Sequence, residues 1–296
     1  MKTKQSKSQI TFKEWASLMN EAYKGNNNGK WATIYAVMAA FKMDLFDINV
    51  YQTAPYFKGP SGSGKTEIAF STAAIFGEKR RWAFDLSCFT DTAMLSHITK
   101  KTDIPFILNQ YADESCSEVK FKALKIAAKG YGKIQKYMDA SLGSMDIKVK
   151  RPIIIASSSL PERDNYSLFK HIVVLQMPAP SYRTHNESQA FYRLKMYEGA
   201  GLQHVHSEIK KEKDAMLVNY IDVLEDVFRD MRPHLISHID QYGYHYTQSH
   251  SFRLFLGMCK LIEDHTKLKL PFTYKEFLEI ALKELKDQPN KEKSAV

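Results

Sequence analysis

The stretch Gly59-Pro60-Ser61-Gly62-Ser63-Gly64-Lys65-Thr66 decides the fold. It fits the pattern G-x-x-x-x-G-K-[ST], in which a glycine-rich turn aims backbone N–H groups at one anion. The helix that follows adds the positive end of its dipole. By this pattern Gly59 to Glu67 cradle the phosphates of a nucleoside triphosphate, Lys65 reaches the β- and γ-phosphates, and the Thr66 hydroxyl holds Mg²⁺. ATP and Mg²⁺ are the expected ligands. The flanks agree: Pro55-Tyr56-Phe57 reads as a short strand entering the loop, and Ile68, Ala69, Phe70, Ala73, Ala74 and Phe76 as an apolar helix stopped by Gly77.

Outward from the loop, short apolar runs alternate with helical periods. Trp82–Leu86, Pro105–Leu108, Pro152–Ala156 and Ile172–Leu175 read as strands. Helices are expected after Thr90 and over Ser117–Lys129. Buried strands alternating with helices imply a parallel sheet covered on both faces. Upstream, Thr11 and Glu14 have capping-box spacing for a helix through Ala22, and Asn26-Asn27-Asn28 ends it. A second helix is expected over roughly Trp31 to Met43. Beyond Pro178-Ala179-Pro180 the periodicity is helical only, with breaks expected near Pro233, Gly243 and Pro271. The fold class is therefore α/β, a three-layer P-loop NTPase sheet. The expected divisions are an N-terminal helical segment (1–45), a core (46–180), a C-terminal helical region (181–286) and a frayed tail (287–296).

The 296 residues carry a net charge of +9 and three cysteines, Cys88, Cys116 and Cys259. The cysteines are far apart with no C-x-x-C pair, which points to a reducing, cytoplasmic setting rather than a disulfide framework or zinc ribbon. No run of about 18 apolar residues suggests a membrane span. His234 with His238, and His204 with His206, lack a third metal ligand and read as surface histidines. Between Val119 and Arg151 nine basic residues face only Asp139 and Asp146. Gly132 to Lys150 reads as a hairpin with Lys133, Lys136, Lys148 and Lys150 on its arms and Tyr131 and Tyr137 among them, suited to an acidic polymer. A solvated lysine face is the alternative.

The segment Tyr56-Phe57-Lys58-Gly59…Lys65-Thr66-Glu67 with Phe76-Gly77 resembles the AAA+-like ATPase module of primase–helicase proteins from bacterial mobile elements and phages, related in layout to superfamily 3 and MCM-type helicases. Weaker features follow in order: Ile104 to Tyr111, Leu124-Lys125, Gly130-Tyr131-Gly132-Lys133, Pro152 to Pro161, Asn165 to Ile172 and Leu270 to Lys275. The resemblance spans residues 12–285. It implies a DNA helicase or translocase, working on single-stranded or forked DNA as a homo-oligomeric ring beside a separate primase. It also implies a sensor among Ser157, Ser158 and Ser159, with Ser158 the candidate.

The chain departs from the family in three ways. The family's Walker B strand ends in Asp-Glu, which order Mg²⁺ and polarise water; here Asn109-Gln110 stand there, with the shape of the acids and no charge or basicity. Asp113, Glu114 and Asp85 are the nearby carboxylates. The arginine-finger position resembles Lys170, with Arg163 close by, and no primase part is present. Two readings therefore remain, an ATP-driven motor and an ATP-binding, hydrolysis-deficient structural or regulatory subunit. The P-loop by itself also permits a small-molecule kinase.

Overall fold

The computed structural model describes residues 9–48, 53–77, 82–135, 144–149, 151–179, 183–239 and 245–288. Five parallel strands form the sheet: β1 (Ala54–Lys58), β2 (Phe84–Asp85), β3 (Phe106–Asn109), β6 (Ile153–Ser157) and β7 (Ile172–Gln176). Their spatial order is β2-β3-β6-β1-β7, so β6 lies between β1 and β3. Strands β4 (Tyr131–Gln135) and β5 (Ser144–Lys148) make a separate antiparallel pair. This is the α/β arrangement of a P-loop NTPase-like fold.

The strands are apolar on both faces because each face has its own core. Phe57, Ile107, Ile154, Val173 and Leu175 point to one side. Tyr56, Phe106, Leu108, Ile155 and Val174 point to the other. The second side is covered by α5 (Asp91–Ile98) and α6 (Glu118–Lys129), whose caps Thr90 and Ser117 each accept a backbone N–H. The first is covered by α1 (Phe12–Ala22), α2 (Asn28–Ala40), α4 (Lys65–Ala73), and the helices that follow β7.

Those later helices are α7 (His185–Ala200), α8 (Gln203–Lys210), α9 (Lys213–Ile239), α10 (His245–His265) and α11 (Tyr274–Lys286). Trp31 on α2 packs edge-to-face against Phe252 and Phe255 of α10 and at a tilt against Phe277 of α11, with ring centroids 4.6–5.5 Å apart. N-terminal and C-terminal helices thus share one core across the same sheet face.

Local differences from the sequence reading have physical causes. The capping box at Thr11 and Glu14 forms as expected. The helix expected from Trp31 to Met43 begins at Asn28 and breaks at Phe41, after which α3 (Lys42–Asp47) follows. The strand expected over Trp82–Leu86 shortens to Phe84–Asp85; its C-terminal end is set by Asp85, whose Oδ1 accepts from the Ser87 N–H and hydroxyl and turns the chain before Leu86. Pro233 lies inside α9 rather than ending it, whereas Pro271 does fall between α10 and α11.

Lys42 is wholly buried and donates to Ala127 O at 3.1 Å and Arg151 O at 2.9 Å. It ties α3 to the end of α6 and to the residue leading into β6. Burial pushes its pKa down to about 7 from 10.5. The neutral amine has two N–H groups, one for each carbonyl. Between those two values the unfolded chain binds more protons at this site than the folded one, so the site's contribution to stability rises with pH. Urea midpoints measured at pH 7 and pH 9.5 should rise more for the wild type than for Lys42→Met. Identical pH dependence in the two proteins would refute a neutral Lys42.

Candidate functional site

The glycine-rich loop sits where β1 emerges between β6 and β7, at the carboxyl ends of the strands. Open α/β sheets bind ligands at such a point. Gly59 N donates to Ser157 O at 3.1 Å and Met177 N to Lys58 O at 2.6 Å, fixing the loop's entry to both neighbouring strands. The backbone needs glycine here. Gly64 lies at φ +87°, and a Cβ on Gly59 would come within 2.7 Å of Met177 Cβ and 2.9 Å of Ser63 Oγ. Helix α4 starts immediately afterwards, at Lys65.

Lys65 Nζ donates to Pro60 O at 2.7 Å, folding its side chain over the loop. Partial burial lowers its pKa. Thr66 Oγ1 lies 3.4 Å from Asn109 Oδ1. The fold thus brings the loop's threonine and the end of β3 together, although 43 residues separate them. Gln110, next in the chain, is exposed and sits at φ +54°, a left-handed conformation unfavourable to a residue with a Cβ. Its N–H donates to Ala156 O at 3.0 Å, which holds the turn.

The other carboxylates near this turn have structural partners. Asp113 accepts from the Tyr111 hydroxyl and from the N–H groups of Glu162 and Arg163. Asp85 caps its own turn. Glu114 is exposed and shares a cleft with Lys58 and Ser158. Ser157 is buried, its hydroxyl donating to Tyr111 O at 2.8 Å, while Ser158 is exposed at the strand end. Glu67 pairs with Lys195 of α7 at 3.0 Å, and that amine also donates to Ser71 Oγ at 2.8 Å. Lys170 is exposed at the end of the turn before β7. Arg163 is committed within its own chain: it donates to Cys116 O, pairs with Glu118 at 3.2 Å and stacks over Phe121.

The basic run does not form one surface. Lys120 and Arg151 are buried, donating to Leu86 O and to His97 O and Ile104 O respectively. Lys133 and Lys148 stand on β4 and β5, in register with Asp146 and Tyr131. Lys136 and Lys150 lie outside the described residues. Among the described residues no group of three His, Cys, Asp or Glu could hold a metal, and no helix is long and apolar enough to cross a membrane. His204 and His206 are taken up by Ile10 O and Asp103.

On chemistry alone, the loop suits a polyphosphate: it offers a backbone that requires glycine at Gly59 and Gly64, a lysine and the N-terminus of a nine-residue helix. For Mg²⁺ the protein would contribute the Thr66 hydroxyl and the Asn109 carbonyl oxygen, both neutral. A small hard cation so held takes its remaining ligands from phosphate and water.

Sequence reading missed a second wall beside the loop, formed by Gly25, Asn28, Met177 and Arg183 with Gly62 and Ser63. Asn26-Asn27-Asn28 carried only a helix-stop signal, and no local pattern ties it to a loop more than thirty residues later.

No protein-family model matches the chain, and no curated protein does. Among solved structures it is similar to SCCmec type IV Cch, described as an active helicase, with a TM-score of 0.63 at 13% identity. The likeness covers 94% of this chain and 51% of Cch, so the chain spans about half that protein's length. The chain shares its fold with that part of Cch. The NrS-1 C-terminal region, in its A-form apo structure, also matches over 94% of this chain and 72% of that one, at 11% identity. Its TM-score of 0.31 is too low to bear on the fold.

Proposed function

We propose that this chain is an ATP-binding, AAA+-type helicase or translocase module acting on DNA, in replication of a mobile element or phage. The observation that carries the reading is the meeting of Thr66 and Asn109 beside a loop whose positions 59 and 64 require glycine. A helicase-like fold supports it. ATP with Mg²⁺ lies along Gly59–Glu67, Ser158 senses the γ-phosphate, and exposed Lys170 reaches the nucleotide of the next subunit in a homo-oligomeric ring. A lysine there supplies a point charge, not the bidentate fork of arginine. A separate primase is the natural companion.

The β4–β5 hairpin faces the nucleic acid, with Lys133, Lys136, Lys148 and Lys150 as phosphate contacts. Affinity for single-stranded DNA then falls linearly with salt on logarithmic axes, by ~0.7 per phosphate contacted. The double variant Lys133→Ala with Lys148→Ala should lower that slope by ~1.4, read by fluorescence anisotropy across a salt series. An unchanged slope removes the hairpin from the DNA path.

One observation favours a second reading. The acids expected beside Thr66 are Asn109 and Gln110, and Asp113 is held by Tyr111, Glu162 and Arg163. The chain then binds ATP without turning it over and serves as a structural or regulatory subunit. Phosphate release with and without DNA separates the two.

A further inference from the structure

The cleft beside the loop has a polar feature that the phosphate cradle does not use. It is about 130 Å³ and lies between the start of α2, the loop and the segment after β7. It borders Gly62–Gly64, whereas Thr66 and Asn109 meet beyond it. A base held here would lie beside the loop rather than at its Thr66–Asn109 end.

Asn28 lines the cleft and is 1% exposed. Its Nδ2 donates to Gly25 O at 3.1 Å and Gln176 O at 3.0 Å. Two carbonyls can be served only by the amide nitrogen, so the orientation of the carboxamide is fixed chemically. Its Oδ1 is buried and has no hydrogen-bond partner among the described residues, and neither has the Ser63 Oγ in the same wall. Buried acceptors are seldom left unpaired, and a site that completes one discriminates strongly against ligands that do not.

We propose that Asn28 Oδ1 accepts a hydrogen bond from the exocyclic amine of adenine, making this cleft the base-recognition site and Asn28 its specificity-determining residue. The inference rests on the proposed nucleoside triphosphate at Gly59–Thr66. Guanine and hypoxanthine present a carbonyl at the equivalent position, which would meet the Asn28 oxygen with no proton between them. Purine itself presents only C–H.

The test is competition binding to the full chain with Mg²⁺, using ATP, inosine triphosphate and purine riboside triphosphate. ATP should bind ~10-fold or more tightly than either analogue, the consequence of leaving a buried acceptor unpaired. Equal affinities, or tighter inosine triphosphate, overturn the role of Asn28 and leave the triphosphate site standing. Failure of all three to bind overturns both. Asn28→Ala, checked for native circular dichroism, should bring the ratio of ATP to purine riboside triphosphate close to one. A ratio that Asn28→Ala leaves unchanged contradicts the assignment. The analogue series decides the question without any variant.

Discussion

Lys65→Ala should lower ATP affinity ~10- to 100-fold, read by equilibrium titration in the presence of Mg²⁺. The figure is that of one charge-assisted hydrogen bond to a phosphate, and charged partners contribute ~1.5–3 kcal/mol. The fold should be unaffected. Lys65 is only partly buried, and the contact it makes within the loop is to the Pro60 carbonyl. Circular dichroism and the urea midpoint should therefore match the wild type. Wild-type affinity in Lys65→Ala would mean that the nucleotide binds elsewhere or that the loop does not cradle phosphate.

The second large effect is a gain. Asn109→Asp with Gln110→Glu should raise phosphate release by ~10²–10⁴-fold, the usual contribution of a positioned general base. Each half has its own physical role. Aspartate at 109 places a charge beside the Thr66 hydroxyl, where Mg²⁺ would sit. Glutamate at 110 supplies a proton acceptor at an exposed, left-handed position at the end of β3. Both substitutions keep side-chain shape, so the turn held by Gln110 N and Ala156 O should survive. A double variant no faster than wild type, with ATP bound equally, would show that the base is supplied from another position. Glu114 would then be the first residue to replace, because it is exposed and shares the cleft of Ser158.

The parallel sheet was legible because its strands are short apolar runs with a core on each face, a pattern that survives without tertiary knowledge. The strand, turn and helix around Gly59–Thr66 were legible because their signals are local: an apolar run, then glycines, lysine and threonine within eight consecutive residues. Strand order was not, since the placement of β6 between β1 and β3 depends on packing across the whole sheet. The C-terminal end of β2 was misread because Asp85 turns the chain with a side-chain bond that hydrophobic patterning does not register. The basic run looked like one surface in sequence. Lys120 and Arg151 instead turn inward to carbonyl groups of other elements, partners invisible to a charge count. Asn28 had no signal for a comparable reason: its environment comes from Gly25, Gln176 and Ser63, and the last two are remote in the chain.

The central claim is that nucleotide held at Gly59–Thr66 drives a motor on DNA. The most direct test is phosphate release from ATP, with and without single-stranded DNA, by the wild type, Lys65→Ala and the Asn109→Asp, Gln110→Glu variant. The expected result is release that DNA stimulates, that the double variant raises and that Lys65→Ala abolishes. Saturating ATP binding with no release from either the wild type or the double variant, DNA present or absent, would contradict it.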